Sequence, residues 1–215
     1  MLSQLRITAL RILSASALLS LLCVPLSAQE PASHSSEVSA SFGFAHADGS
    51  SHANIGGSGG FRLNKGLVAL ADYQYIPYGS IPVGSVSGSS YTLNTVSAHA
   101  QLFGGFIRKD FLLKDSKYTP YVLAGAGLFR DSAGTYYITS TSLNTQAVNG
   151  IFFGFGGGVS YHIRDKWGIR GELQIDPVHV SHPTTVNNYS ASVTETSGTI
   201  TSLRFSVFRE FGRTR

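Results

Sequence analysis

Three groupings in this 215-residue chain combine residue types that could do chemistry. His179-Val180-Ser181 sets a base two positions from a hydroxyl, with Glu195 downstream. On a strand that spacing puts both side chains on one face, where the imidazole could take the serine proton. Pro177 and Pro183 bracket the trio as loop, and a loop histidine beside a loop serine is the commoner arrangement. No catalytic residue is therefore assigned, and His179, Ser181 and Glu195 stand as the enzymatic alternative. His46 and His52 flank a short segment, but two histidines without a third ligand at a set spacing do not define a metal site. The glycines of Gly154-Phe155-Gly156-Gly157-Gly158 fall within an alternating pattern with no helix after it, unlike a loop that cradles phosphate. No cofactor is expected.

The segments that must carry these residues alternate with period two, in blocks of about ten residues. Val38, Ala40, Phe42 and Phe44 open the series. Ile55, Phe61 and Leu63 then oppose Asn54, Ser58 and Arg62, and Tyr73 and Tyr75 oppose Asp72 and Gln74. A fourth block sets Val96, Ala98, Ala100 and Leu102 against Ser97, His99 and Gln101. The fifth runs from Tyr118 to Phe129, and the sixth sets Ile151, Phe153, Phe155 and Val159 against glycines. The seventh is the clearest, with Trp167, Ile169, Leu173 and Ile175 against Arg170, Glu172, Gln174 and Asp176. The eighth opposes Leu203, Phe205, Val207 and Phe211 to Ser202, Arg204, Ser206 and Glu210.

An even count of such blocks suits a closed antiparallel meander. The predicted fold is all-β, an eight-stranded transmembrane β-barrel. A soluble barrel would hide its apolar faces and wet its charges; a membrane barrel inverts this, with lipid outside and a polar interior. The inward candidates are Arg62, Asp72, His99, Gln101, Arg170, Glu172, Gln174 and Arg204. Eight strands leave an interior just wide enough for side chains to fill, so these groups are expected to pair as a polar plug. Connections alternate short and charged (Asn64-Lys65-Gly66, Arg108 to Lys117, Arg164-Asp165-Lys166) with long and nearly uncharged (Pro77 to Leu93, Asp131 to Asn149, Pro177 to Ser197). That is the pattern of periplasmic turns and extracellular loops. Aromatic residues gather near block ends, Tyr73, Tyr75 and Tyr78 at one and Tyr118, Tyr161 and Trp167 at the other, where headgroup-level rings belong.

Bulk composition agrees. Charged residues make up 13% of the chain against about 25% in ordinary soluble domains, so a fully wetted surface is not implied. Residues 1–28 read as a cleaved signal peptide: Arg6 and Arg11 precede an apolar run from Ile12 to Val24, and Ala28 ends the segment. That run is too short to span a bilayer as a helix. Residues 29–36 are a flexible lead-in, 37–212 the barrel and 213–215 a short periplasmic tail. The lone Cys23 lies inside the signal, so no disulfide is expected in the remainder. From Gln29 onward 14 basic residues meet 12 acidic ones, which gives no footprint for nucleic acid.

Tyr118-Thr-Pro-Tyr-Val-Leu-Ala-Gly-Ala-Gly-Leu-Phe129, Phe153-Gly-Phe-Gly-Gly-Gly-Val-Ser-Tyr161 and Trp167-Gly-Ile-Arg-Gly-Glu172 resemble strands of the outer-membrane β-barrel domain family, the OmpA-like and opacity-type small porin-like proteins. The ending Phe205-Ser-Val-Phe-Arg-Glu-Phe-Gly212 is similar to that family's last strand, which implies that Phe211 serves as an assembly signal for the barrel-insertion machinery. His179-Val-Ser181 resembles the His-x-Ser pattern of lipid A deacylases, which would make the alternative a lipid A-modifying hydrolase. The family implies a fold and the cell outer membrane, not one activity. The expected role is structural or surface-interacting, not enzymatic, with outer-membrane lipids and lipopolysaccharide as neighbours and an extracellular partner reached through the loops. A narrow solute pore is the remaining alternative.

Overall fold

The computed structural model describes residues 35–212 apart from 48, 88, 139–141, 165 and 182–195. The segments read as signal peptide and tail, and Glu195, lie outside the described residues. Eight antiparallel strands close on themselves: β1 (Ser36–Ala47), β2 (Ser50–Asn64), β3 (Leu67–Ser87), β4 (Ser90–Asp110), β5 (Tyr118–Ile138), β6 (Ser142–Arg164), β7 (Trp167–Ser181) and β8 (Thr196–Phe211). Each pairs with its chain neighbour, and β1 meets β8 from Ser36↔Phe211 to His46↔Thr201, which leaves no edge at the seam. Closure is what allows such a sheet to sit in lipid, where an unpaired backbone group has no water to turn to.

The outer face is greasy. Phe42, Phe44, Phe61, Phe103, Leu128, Phe153, Leu173 and Phe205 are all exposed there, while Arg170, Glu172 and Arg204 are buried on the inner face of the same wall. The opposed sense of β7, apolar outward and ionic inward, is as its alternation predicts.

The fourth block is the exception. Ala98, Ala100 and Leu102 are buried in the lumen, which puts His99 and Gln101 on the outer face, contrary to the expectation from polarity. Register fixes this: inward Gln74 pairs with Leu102, and outward Tyr75 pairs with Gln101. The cause is that the upper lumen is apolar, so its wall takes alanine and leucine, while His99 faces out near the rim and stacks on Tyr75 at 5.1 Å between ring centroids. The same parity carries Arg108 and Asp110 into the lumen as strand residues; the turn proper is Phe111 to Lys117.

The long connections are also shorter than expected. Residues 77–87 and 90–93 extend β3 and β4, and 131–138 and 142–149 extend β5 and β6. About 9–11 residues cross a bilayer, so strands of 21 to 23 residues leave roughly half their length beyond it. Ser, Thr, Tyr and Gly hide these extensions from hydropathy, because they leave no continuous greasy stripe in the sequence. Above the Ala100↔Asp131 pair β4 and β5 separate, and the two hairpins join instead through β3 and β6 at Gly84↔Leu143 and Ser85↔Ser142. At the opposite end the turns are tight. Gly66 has φ 89°, and a Cβ there would stand 2.7 Å from the Asp110 carbonyl oxygen.

Candidate functional site: the filled lumen

Three layers occupy the interior. Near the end with the short turns, Glu37 of β1 accepts from Arg108 Nη1 and Nη2 at 2.6 and 2.7 Å and from Arg170 Nη2 at 3.2 Å. Arg108 also donates through Nε to Asp110 at 2.7 Å, and Arg170 through Nε to the Ser160 hydroxyl at 3.0 Å. Arg62 reaches Asp110 at 3.4 Å and Glu210 at 3.5 Å. The Tyr121 ring lies between Arg108 and Arg170, each guanidinium carbon 5.4 Å from its centroid. A hydroxyl donated from Tyr121 to Glu172 at 2.8 Å links this layer to the next.

The middle layer centres on Arg204 of β8. Its Nη1 donates to both Asp72 oxygens at 3.1 and 2.8 Å, and Nε donates to Glu172 at 3.1 Å, with a further Nη2 contact to the same carboxylate. Gln174 accepts from Arg204 and donates to Asp176 at 2.7 Å. Asn54 donates to Gln74 at 2.8 Å and to Ser202 at 3.4 Å. Buried charge is tolerable only when paired and hydrogen-bonded, and each of these lumen arginines meets at least one carboxylate.

The outermost layer is apolar: Ile76, Ala100, Phe129, Phe152, Val178 and Ile200 pack together. Glycines seat the lumen rings. A Cβ on Gly125 or Gly154 would come within 2.6 or 2.7 Å of Phe106, and one on Gly127 within 2.7 Å of Phe152. The glycine run that could be mistaken for a phosphate loop is thus the wall against which inward aromatics lie.

Of the residues singled out from sequence, Arg62, Asp72, Arg170, Glu172, Gln174 and Arg204 come together in the lumen; His99 and Gln101 do not. Glu37, Arg108, Asp110, Tyr121 and Glu210 belong to the same network and were missed. Counting by twos from Leu102 would have found Arg108 and Asp110; block boundaries drawn by hydropathy cut them off. His179 is exposed on β7, flanked in register by Ile151 and Ser197, and Ser181 ends the strand. Phe211 is the last residue of β8 and faces outward. Among the described residues no group of three or more His, Cys, Asp and Glu could hold a metal.

Two spaces remain. A vestibule of about 400 Å³ opens at the end carrying the short turns, bounded by Arg62, Arg108, Arg170, His162, Leu112 and Phe208. Beyond Arg170 a gap of about 20 Å³ separates the ionic layers.

A sealed cylinder with lipid-facing hydrocarbon and an ionic interior is an outer-membrane protein. The family model for the outer membrane protein beta-barrel domain matches residues 14–202, and the chain belongs to that family. A search of curated protein sequences finds no match. Among solved structures it is similar to Neisserial surface protein A (NspA), with TM-score 0.54 and 17% identity over 85% of this chain and 100% of that one. The N-terminal barrel domain of Pseudomonas aeruginosa OprF gives 0.47 and 16% over 82% and 97%. A major outer membrane protein of Thermus thermophilus gives 0.48 and 12% over 83% and 99%. At these identities the likeness is one of fold.

Proposed function

We propose that this barrel is a structural and surface-interaction protein of the outer membrane that passes no solute. The observation that carries it is the stacking of three sealing layers: the Glu37–Arg108 lock, the Arg204 centre and the apolar tier of Ile76, Phe129 and Phe152. A permeant would have to break buried ion pairs and then cross hydrocarbon-like packing, each costing several kcal/mol. The interaction surface is the joined pair of tall hairpins, where Tyr91 and Leu93 are exposed and the sequence from 77 to 98 carries no charged residue. Such a surface suits a partner met through rings and neutral hydrogen bonds. Planar-bilayer recording tests the sealed lumen: no stable open level is expected, and a reproducible one would overturn it. Removal of residues 81–96 should leave the barrel folded but abolish surface binding.

A second reading, a lipid A deacylase-like hydrolase using His179, Ser181 and Glu195, draws on the exposure of His179 on the outer wall. Lipid A mass with and without expression of the protein tests it; an unchanged acyl number ends it.

A further inference from the structure

Cationic side chains are distributed very unevenly along the barrel axis. No Lys or Arg occurs in 45–53, 77–98, 131–149 or 177–199, the segments at the end with the tall hairpins. Arg130 alone stands at that level on the outer wall. Beyond the four lumen arginines, the described cations gather at the opposite end: Lys65, Lys109, Lys114, Lys117, Arg164, Lys166 and Arg209. The start of β1, the end of β8 and the short turns lie there, which marks it as periplasmic. The neighbouring leaflet is the inner one.

One of these cations lies over the single tryptophan, and two more flank it, Lys166 in sequence and Arg164 in register at a bulge that also borders the vestibule. Arg164 pairs in register with Trp167, and Trp167 pairs with Arg209 on the next strand. The Arg209 guanidinium lies over Trp167 at 5.2 Å and over Phe211 at 5.0 Å from the ring centroids. Lys166 sits exposed in the turn between Arg164 and Trp167, and its carbonyl accepts from Glu210 N at 2.8 Å, which holds the turn against β8. Trp167 is exposed on the lipid-facing wall, directly below Ile169 and Leu173. Glu210, next to Arg209 in sequence, faces the lumen and not these cations.

An indole at headgroup depth, acyl-contacting side chains above it and a net positive charge around it match the outline of a lipid with a phosphate head. We propose that Arg164, Lys166 and Arg209, arrayed about Trp167, form a docking site for the headgroup of an anionic glycerophospholipid in the inner leaflet. The cation-poor outer end offers no equivalent for a phosphate-bearing lipid on the other side.

Trp167 is the only tryptophan, so it reports on its own neighbours. The full barrel is refolded in phosphatidylcholine bilayers, and trace lipids brominated on their acyl chains are added as quenchers. Brominated phosphatidylglycerol should compete for the Trp167 contact about fivefold better than brominated phosphatidylcholine, at low salt. The preference should fade at roughly 0.5 M salt. Lys166→Gln, in an exposed turn where folding is not at stake, should reduce it, and the triple change with Arg164→Gln and Arg209→Gln should remove it. Lys114→Gln, on another turn, should leave it intact. Equal quenching by the two lipids in the unaltered barrel, or a preference that survives the triple change, would overturn the proposal. So would retention on peptidoglycan through these residues without any lipid preference.

Discussion

Arg108 and Glu37 face each other across the lumen from β4 and β1, joined by two charge-assisted hydrogen bonds of 2.6 and 2.7 Å. Both side chains are almost wholly buried, and Glu37 also serves Arg170 of β7. One carboxylate therefore ties three strands that are not all neighbours in the wall.

Replacing Glu37 by Ala should leave the buried Arg170 without its carboxylate and Arg108 with Asp110 alone, and cost about 3–5 kcal/mol. Urea unfolding of the refolded barrel in lipid vesicles would read it as a lower midpoint. Adding Arg170→Met to Glu37→Ala should recover part of the loss, because the guanidinium left without a carboxylate is removed with its partner. A double variant as weak as the single one would show that the stranded charge is not what the loss of Glu37 costs.

Filling a ring seat should also destabilise. Gly154→Val would push a side chain into Phe106 and into the Asp176 carboxylate, 2.7 and 2.5 Å from the position of its Cβ. Overpacking of this kind costs about 1–3 kcal/mol. Phe106→Ala in the same chain should restore some of it, measured by the temperature at which the heat-modifiable band is lost on gels.

The outer wall should reject charge according to depth. Leu173→Arg, half-exposed in the middle of β7, should cost ~2–4 kcal/mol in vesicle unfolding. The same change at Ile163, near the periplasmic rim, should cost about 0–1 kcal/mol. Equal penalties at the two positions would contradict the placement of the bilayer.

Phe211 closes β8 and pairs with Ser36 at the seam. If it is read by the insertion machinery, Phe211→Ala should lower the amount of folded barrel in the outer membrane and raise its periplasmic pool. Refolding of the purified variant into detergent should be unaffected. A refolding defect of equal size would assign Phe211 to stability instead of recognition.

The wall was legible where one face was continuously greasy, as from Trp167 to Ile175. It was misread at Ala98, Ala100 and Leu102, because hydropathy cannot distinguish a lipid-facing leucine from one facing a dry lumen. It was invisible in the upper hairpins, whose Ser, Thr, Tyr and Gly carry no alternation. The ionic centre was half visible: Glu172 and Arg204 stand out against apolar neighbours, whereas Arg108 and Asp110 look like the start of a charged turn. Apart from Arg108 and Asp110 on one strand, which carboxylate serves which arginine depends on contacts across the barrel, up to 148 residues apart for Arg62 and Glu210. No local pattern encodes these.

Because Glu37 belongs to the first strand and its partners to the fourth and seventh, a partly inserted sheet holds Arg170 without its carboxylate and Arg108 with Asp110 alone. Such an intermediate would expose bare guanidinium charge toward hydrocarbon, a severe penalty. Matching arrives only when the first and last strands meet. Insertion is thereby driven toward completion in one concerted event, with the last ring of charge acting as its latch.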